Sequence, residues 1–151
     1  MKIIDSFSGP NRYLSNFYPC KNGVAFMGQY YPTSEHAYAA SKTYDEDIRE
    51  AIRNAPTPRD AKALGRTAPL HPDWEKSKFY FMESIVRQKF LGDRALRYPL
   101  VESTGTLLVE GNSWHDNIWG DCSCVKCKDV PGQNALGIIL MRVRLEMMDV
   151  A

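Results

Sequence analysis

In "YPTSEHAYAASK", residues 31–42, Glu35 and Lys42 stand seven residues apart. On a helix that is close to two turns, so a carboxylate and an amine point the same way about 10 Å apart along the axis. A carboxylate there can stabilise developing positive charge or orient attacking water. The amine can hold a phosphate or hydroxyl or, once deprotonated, attack carbon itself. His36 and Tyr38 belong to the same run, and Ala37, Ala39 and Ala40 leave a small-residue gap in which something other than protein would fit. The structural alternative is a solvated face with an N-terminal acid favouring the helix dipole.

Other clusters offer recognition. "GNSWHDNIWGD", residues 111–121, places two tryptophans, His115, Asp116 and Asn117 in one loop, where rings stack on planar ligands while acids and amides take hydroxyls. The competing reading is a Trp-anchored loop held by Asx turns. "GPNRYLSNFYP" offers Arg12, Ser15, Asn16 and Phe17, and "GQNALG" sets Asn134 beside two glycines at a helix start, where backbone can approach a phosphate or sugar closely. Trp74 sits on a helix stripe and is read as a core anchor. Cys122, Cys124 and Cys127 form a Cys-x-Cys-x-x-Cys run with His115 upstream, four soft ligands that would suit zinc. The run lacks the second paired half of a zinc ribbon, so free thiols are expected, with no metal and no cofactor assigned.

These residues need elements to position them. β-prone segments, "IIDSF" and "NGVAFMGQYYP", predict short strands and a hairpin near the N-terminus. Thr33 caps a helix over 34–43, "DEDIREAIRNA" carries acids early and arginines late, and "TPRDAKALG" has Thr57 as cap, Pro58 at the first position and Gly65 as stop. A long helix with Trp74, Phe81, Met82, Ile85 and Phe90 on its apolar stripe stops at Gly92. "TGTLLVEG" reads as a strand, and "NALGIILMRVRLEMM" closes the chain as a helix with Leu136, Ile139, Leu140 and Val143 inward. The fold class is α+β: one compact, helix-rich domain over 1–151 with a small sheet.

Composition bounds the partners. The 151 residues carry 19 Lys+Arg and 18 Asp+Glu, a net charge of +1, so no global field advertises nucleic acid or membrane. No run of about 18 apolar residues offers a membrane span, and the N-terminus lacks a signal-peptide pattern. With cysteines crowded rather than spread as a disulfide framework, a cytoplasmic protein is expected.

"YLSNFYP", "YPTSEHAYAASK", "AKALGR", "HPDWEKSK", "LLVEGNSWHDNIWGD" and "GQNALGIILMRVR" resemble, in order, successive blocks of the YbiA-like or NADAR family. The resemblance implies a compact α+β domain acting as an N-glycosidase, which cleaves between a ribose-phosphate moiety and a nitrogen heterocycle. It implies Glu35 and Lys42 as catalytic residues. Asp116 and Trp119, with Gly120 in the same loop, would hold base or ribose, while Asn16 and Asn134 would take hydroxyls or phosphate. Arg12, Ser15, Phe17, His36 and Tyr38 complete the expected contacts. Two substrates are implied: ADP-ribose on guanine in DNA, or phosphorylated riboflavin-pathway intermediates. Arg49, Arg53, Arg59, Lys62 and Arg66 tilt the expectation toward DNA, although Asp45, Glu46, Asp47 and Glu50 balance them. A non-catalytic ADP-ribose or nucleotide-binding module is the rival class.

Overall fold

A computed structural model describes residues 1–150. The fold is α+β and helix-rich, with three two-stranded sheets among the described residues. Two compact units are distinguished: Asn16–Arg94, and Met1–Ser15 with the chain from Ala95 on.

The chain opens with β1 (Lys2–Ile4) and a 3-10 helix, Gly9–Leu14. In the contiguous unit, β2 (Val24–Phe26) and β3 (Gln29–Tyr31) form the expected hairpin. Its two turn residues, Met27 and Gly28, both take positive φ, 46° and 82°, as a tight turn matched to strand twist requires. Four helices follow: α1 (Ser34–Ser41), α2 (Glu46–Arg53), α3 (Pro58–Thr67) and α4 (Trp74–Leu91). Asp45 and Thr57 cap α2 and α3 through Ile48 N and Asp60 N, at 3.0 and 3.1 Å. The α4 stripe is largely as read, with Trp74, Met82, Ile85 and Phe90 buried, and Gly92 is its C-cap.

Gly65 does not stop α3, which continues to Thr67. It lies where α3 meets α1: a Cβ at Gly65 would fall 2.9 Å from Ala39 Cβ. The glycine thus serves close helix approach rather than termination.

The other unit continues with α5 (Arg94–Glu102), which the sequence reading omits because Pro99 lies inside it and removes a helix hydrogen bond. Strand β4 (Thr106–Leu108) then pairs in parallel with β1, Lys2 opposite Thr106 and Ile4 opposite Leu108. Two-residue strands β5 (Gly111–Asn112) and β6 (Asp121–Cys122) bracket the tryptophan-bearing loop. A 3-10 turn, Val125–Cys127, precedes α6 (Ala135–Met147), which buries Leu136, Ile139, Leu140 and Val143 as expected. Helix α6 docks on β4 where Gly137 meets the Leu108 carbonyl, too close for a side chain. No described helix is long and apolar enough to cross a membrane.

Candidate active site

Helix α1 begins because Thr33 is extended and its hydroxyl accepts from His36 N at 3.1 Å. The His36 ring completes the start of the helix. Its Nε2 donates to the Ala55 carbonyl at 3.0 Å and its Nδ1 meets the Thr33 hydroxyl at 2.8 Å. Because a carbonyl can only accept, Nε2 carries hydrogen. His36 is therefore held in the scaffold.

Every residue from Ser34 to Ser41 is buried. A polar helix buried on all sides is not a solvated face, so Glu35, only 8% exposed, occupies an environment where charge has to be answered by neighbours. Its backbone N–H donates to Asn16 O at 3.0 Å, which ties the "SNF" segment to α1. Asn16 also turns its side-chain amide toward Met82 Sδ at 3.5 Å.

Lys42 is the C-cap of α1 and half-buried. Burial pulls its ammonium below the ordinary lysine range, the Glu35 carboxylate pulls it back up, and the cations Lys62 and Arg66 push it down again. Those two cations sit on α3, which the Gly65–Ala39 approach brings against α1. The space over Ala39 is thus taken by α3. What α3 supplies is positive charge beside the carboxylate and amine. Lys62 Nζ also stands 5.8 Å from the exposed Phe17 ring, and Lys42 Nζ stands 5.6 Å from the Tyr38 ring. Tyr38 packs against buried Trp74 at 5.4 Å, so Trp74 is a core anchor, as read.

His71 escaped the sequence reading. Its backbone N–H donates to the Lys42 carbonyl at 2.9 Å, and its ring stacks on Tyr44 at 4.4 Å. It is 5% exposed, and neither ring nitrogen has a hydrogen-bond partner among the described residues. The only hint in the sequence is a histidine opening "HPDW", which on its own reads as a loop residue.

Of the five expected basic contacts, Arg49 and Arg53 face acids of their own helix. Arg49 lies 3.8 Å from Glu46, and Arg53 Nε donates to Glu50 Oε2 at 3.1 Å.

Glu35, Lys42, Asn16, Phe17, His36 and Tyr38 share the contiguous unit; Arg12, Ser15, Asp116, Trp119, Gly120 and Asn134 belong to the other. There, Arg12 and Ser15 close the first 3-10 helix through a backbone bond of 3.0 Å. Asp116 Oδ1 accepts from Ile118 N and Trp119 N at 3.1 and 2.9 Å, an Asx turn that shapes the loop. Trp119 is half-buried. Gly120 packs so tightly under the Glu110 carbonyl that no side chain fits. Asn134, at φ 53°, bridges β4 to the loop by donating to Leu108 O at 2.9 Å and accepting from Glu110 N at 3.0 Å. His115, Cys122, Cys124 and Cys127, expected to be independent thiols and a loop histidine, converge with their ligand atoms all within 4.8 Å of one another.

The NADAR domain family model matches residues 5–148. N-glycosidase YbiA of Escherichia coli (strain K12) is 36% identical over 151 residues, 96% of this chain and 88% of that protein. The riboflavin biosynthesis protein of Vibrio vulnificus (strain YJ016) is 35% identical over 142 residues; the match covers 91% of this chain but only 36% of that longer protein. The NMR structure of E. coli YbiA superposes with a TM-score of 0.81 at 34% identity, covering 97% of this chain and 85% of that one.

Proposed function

This chain belongs to the NADAR domain family, and on that ground we propose that it is an N-glycosidase that hydrolyses the bond between a phosphorylated ribose and a nitrogen heterocycle. The observation that carries the reading is the charge arrangement along α1: a buried carboxylate in its first turn, an amine at its C-cap held below its ordinary pKa, and two further cations from α3. Breaking an N-glycosidic bond builds positive charge on the anomeric carbon, which Glu35 stabilises. Lys62 and Arg66 supply the charge to bind phosphate.

Two routes use the same groups. In one, Glu35 orients water whose oxygen attacks the anomeric carbon; the heterocycle nitrogen leaves and takes up a proton, giving free base and ribose phosphate. In the other, neutral Lys42 attacks that carbon, the base departs protonated, and the opened ribose is held as a Schiff base until water releases it and restores the amine. The lowered pKa of Lys42 supports this second route, because only the neutral amine is a nucleophile.

For the substrate, a phosphorylated intermediate of riboflavin synthesis fits better than ADP-ribosylated guanine in DNA. A relative named for riboflavin biosynthesis carries a similar domain, and Arg49 and Arg53, two of the cations that would reach DNA phosphates, are paired with Glu46 and Glu50. ADP-ribosyl-guanine is the second reading, favoured by Lys62 and Arg66, which would suit a diphosphate equally well. The test is a mass-spectrometric assay offering both substrates to one enzyme preparation. Release of base from the riboflavin intermediate alone is expected. Cleavage of the DNA adduct alone would reverse the substrate assignment, and binding of either without cleavage would make the chain a recognition module.

A further inference from the structure

We propose that His115, Cys122, Cys124 and Cys127 form a structural zinc site that clamps the 113–133 segment. His115 Nδ1 lies 3.2 Å from Cys124 Sγ and 3.5 Å from Cys127 Sγ, and the four ligand atoms fall within 4.8 Å of one another. A tetrahedral zinc with Zn–S near 2.3 Å and Zn–N near 2.0 Å spaces its sulfurs about 3.8 Å apart and its nitrogen about 3.5 Å from each. The cluster is thus already of the size that one ion fills, and no two of its sulfurs are joined as a disulfide.

The backbone is bent to make this arrangement. His115 takes φ 70°, a left-handed conformation uncommon outside glycine, which sets its ring toward the thiols. Its own N–H donates to Cys122 Sγ at 3.3 Å, and Cys124 N donates to the same sulfur at 3.5 Å. Such N–H bonds orient thiolate ligands and stabilise their negative charge. Asn117 Oδ1 fixes the other side of Cys122 by accepting from its N–H at 2.9 Å.

A second observation is the thinness of the local core. Between Ser113 and Gln133 the large apolar side chains Trp114, Ile118, Val125 and Val130 are exposed, and the flanking strands β5 and β6 have two residues each. Apolar burial does little to order this stretch, and small segments of that kind are commonly fixed by a disulfide or a metal. The four residues are legible in the sequence as possible ligands, but they do not come as two paired halves, and it is the convergence of His115 from the β5–β6 loop on the three thiols that favours one ion over free thiols. With four protein ligands and no open position, the ion is structural rather than a Lewis acid. Binding releases three thiol protons and leaves a site of net charge −1.

The test is made on the full chain and reads metal, not glycosidase turnover. Protein purified without chelator should hold one zinc per chain by elemental analysis. After stripping, titration with cobalt(II) should give the visible bands of a tetrahedral thiolate complex, saturating at one equivalent and abolished by zinc. Cys124→Ser and Cys127→Ser, at half-exposed positions, should each lose those bands; should a variant fail to fold, the wild-type titration decides. Trace zinc with no cobalt bands, zinc retained by the double variant, or iron with an iron–sulfur chromophore would each overturn the assignment.

Discussion

Gly65 and Ala39 meet so closely that a Cβ on Gly65 would lie 2.9 Å from Ala39 Cβ and 3.3 Å from its Cα. That approach sets Lys62 and Arg66 beside Lys42. In an exposed helix interior, replacing glycine by alanine gains up to about 1 kcal/mol. Here the sign reverses: Gly65→Ala should cost about 1–3 kcal/mol through overpacking and lower kcat/KM as α3 is pushed away. Denaturant unfolding and steady-state kinetics check both. A variant as stable and as active as the parent would show that the two helices can part freely.

Glu35→Gln and Lys42→Met each remove a charge from the site while keeping shape. The loss expected is about 10²–10³ in kcat, the usual effect of deleting one electrostatic stabiliser. Borohydride separates the routes. Trapping of ribose on the parent but not on Lys42→Met identifies the Schiff base, whereas turnover with no trapping assigns the attack to water.

His71→Phe keeps the ring stack on Tyr44 and removes two nitrogens that have no hydrogen-bond partner among the described residues. Unpaired buried polar atoms destabilise, and replacing them with apolar ones is close to neutral or favourable. The unfolding free energy should hold or rise, while the rate falls if these nitrogens contact substrate beside Lys42. A loss of more than about 1 kcal/mol in stability would point to a native partner instead.

Lys89 gives the fold a pH signature. It is 2% exposed, with burial lowering its pKa to about 8 while the Cys20 thiol opposes the shift, and its Nζ lies 5.9 Å from the Tyr18 ring and 5.2 Å from the Phe90 ring. The unfolded lysine titrates near 10.4, so between the two values the unfolded chain binds more protons and stability rises with pH. Buried Cys20, whose pKa is raised above 9.0, works the other way at higher pH. Between pH 8 and 9, below the range where Cys20 opposes it, Lys89 should contribute a gain of about 1 kcal/mol. Cys122, lowered to about 7, adds a slope of the same sign, so Lys89→Met should reduce the slope by its own share rather than abolish it. An equal slope in parent and variant would assign the effect to another group.

What could be read from residues alone depended on how local the cause was. The cap at Thr33, the apolar stripe of α6 and the Met27–Gly28 turn are set by neighbours in sequence, and each element formed where its residues pointed. Gly65 was misread as a stop because its cause is Ala39, which belongs to another helix. Helix α5 was missed because Pro99 argues against it locally while Leu96 and Leu100 are held by burial. The charge around Lys42 was half legible: Glu35 could be placed by helical spacing, whereas Lys62 and Arg66 looked like surface residues until α3 was set against α1. The cysteine cluster was also half legible: its four residues could be named as possible ligands from their types, whereas their convergence depends on the left-handed backbone at His115.

The parallel pairing of β1 with β4 places the whole of Asn16–Arg94 between two partner strands. During synthesis β1 emerges before β4 and has no strand partner until Thr106 has been made, whereas the segment Asn16–Arg94 is contiguous and can complete its own contacts in the meantime. Once that segment has collapsed, it shortens the effective loop that β1 and β4 must close and so reduces the entropy opposing their pairing. Assembly would then proceed from the middle of the chain outward, with the β1–β4 ladder as a late event.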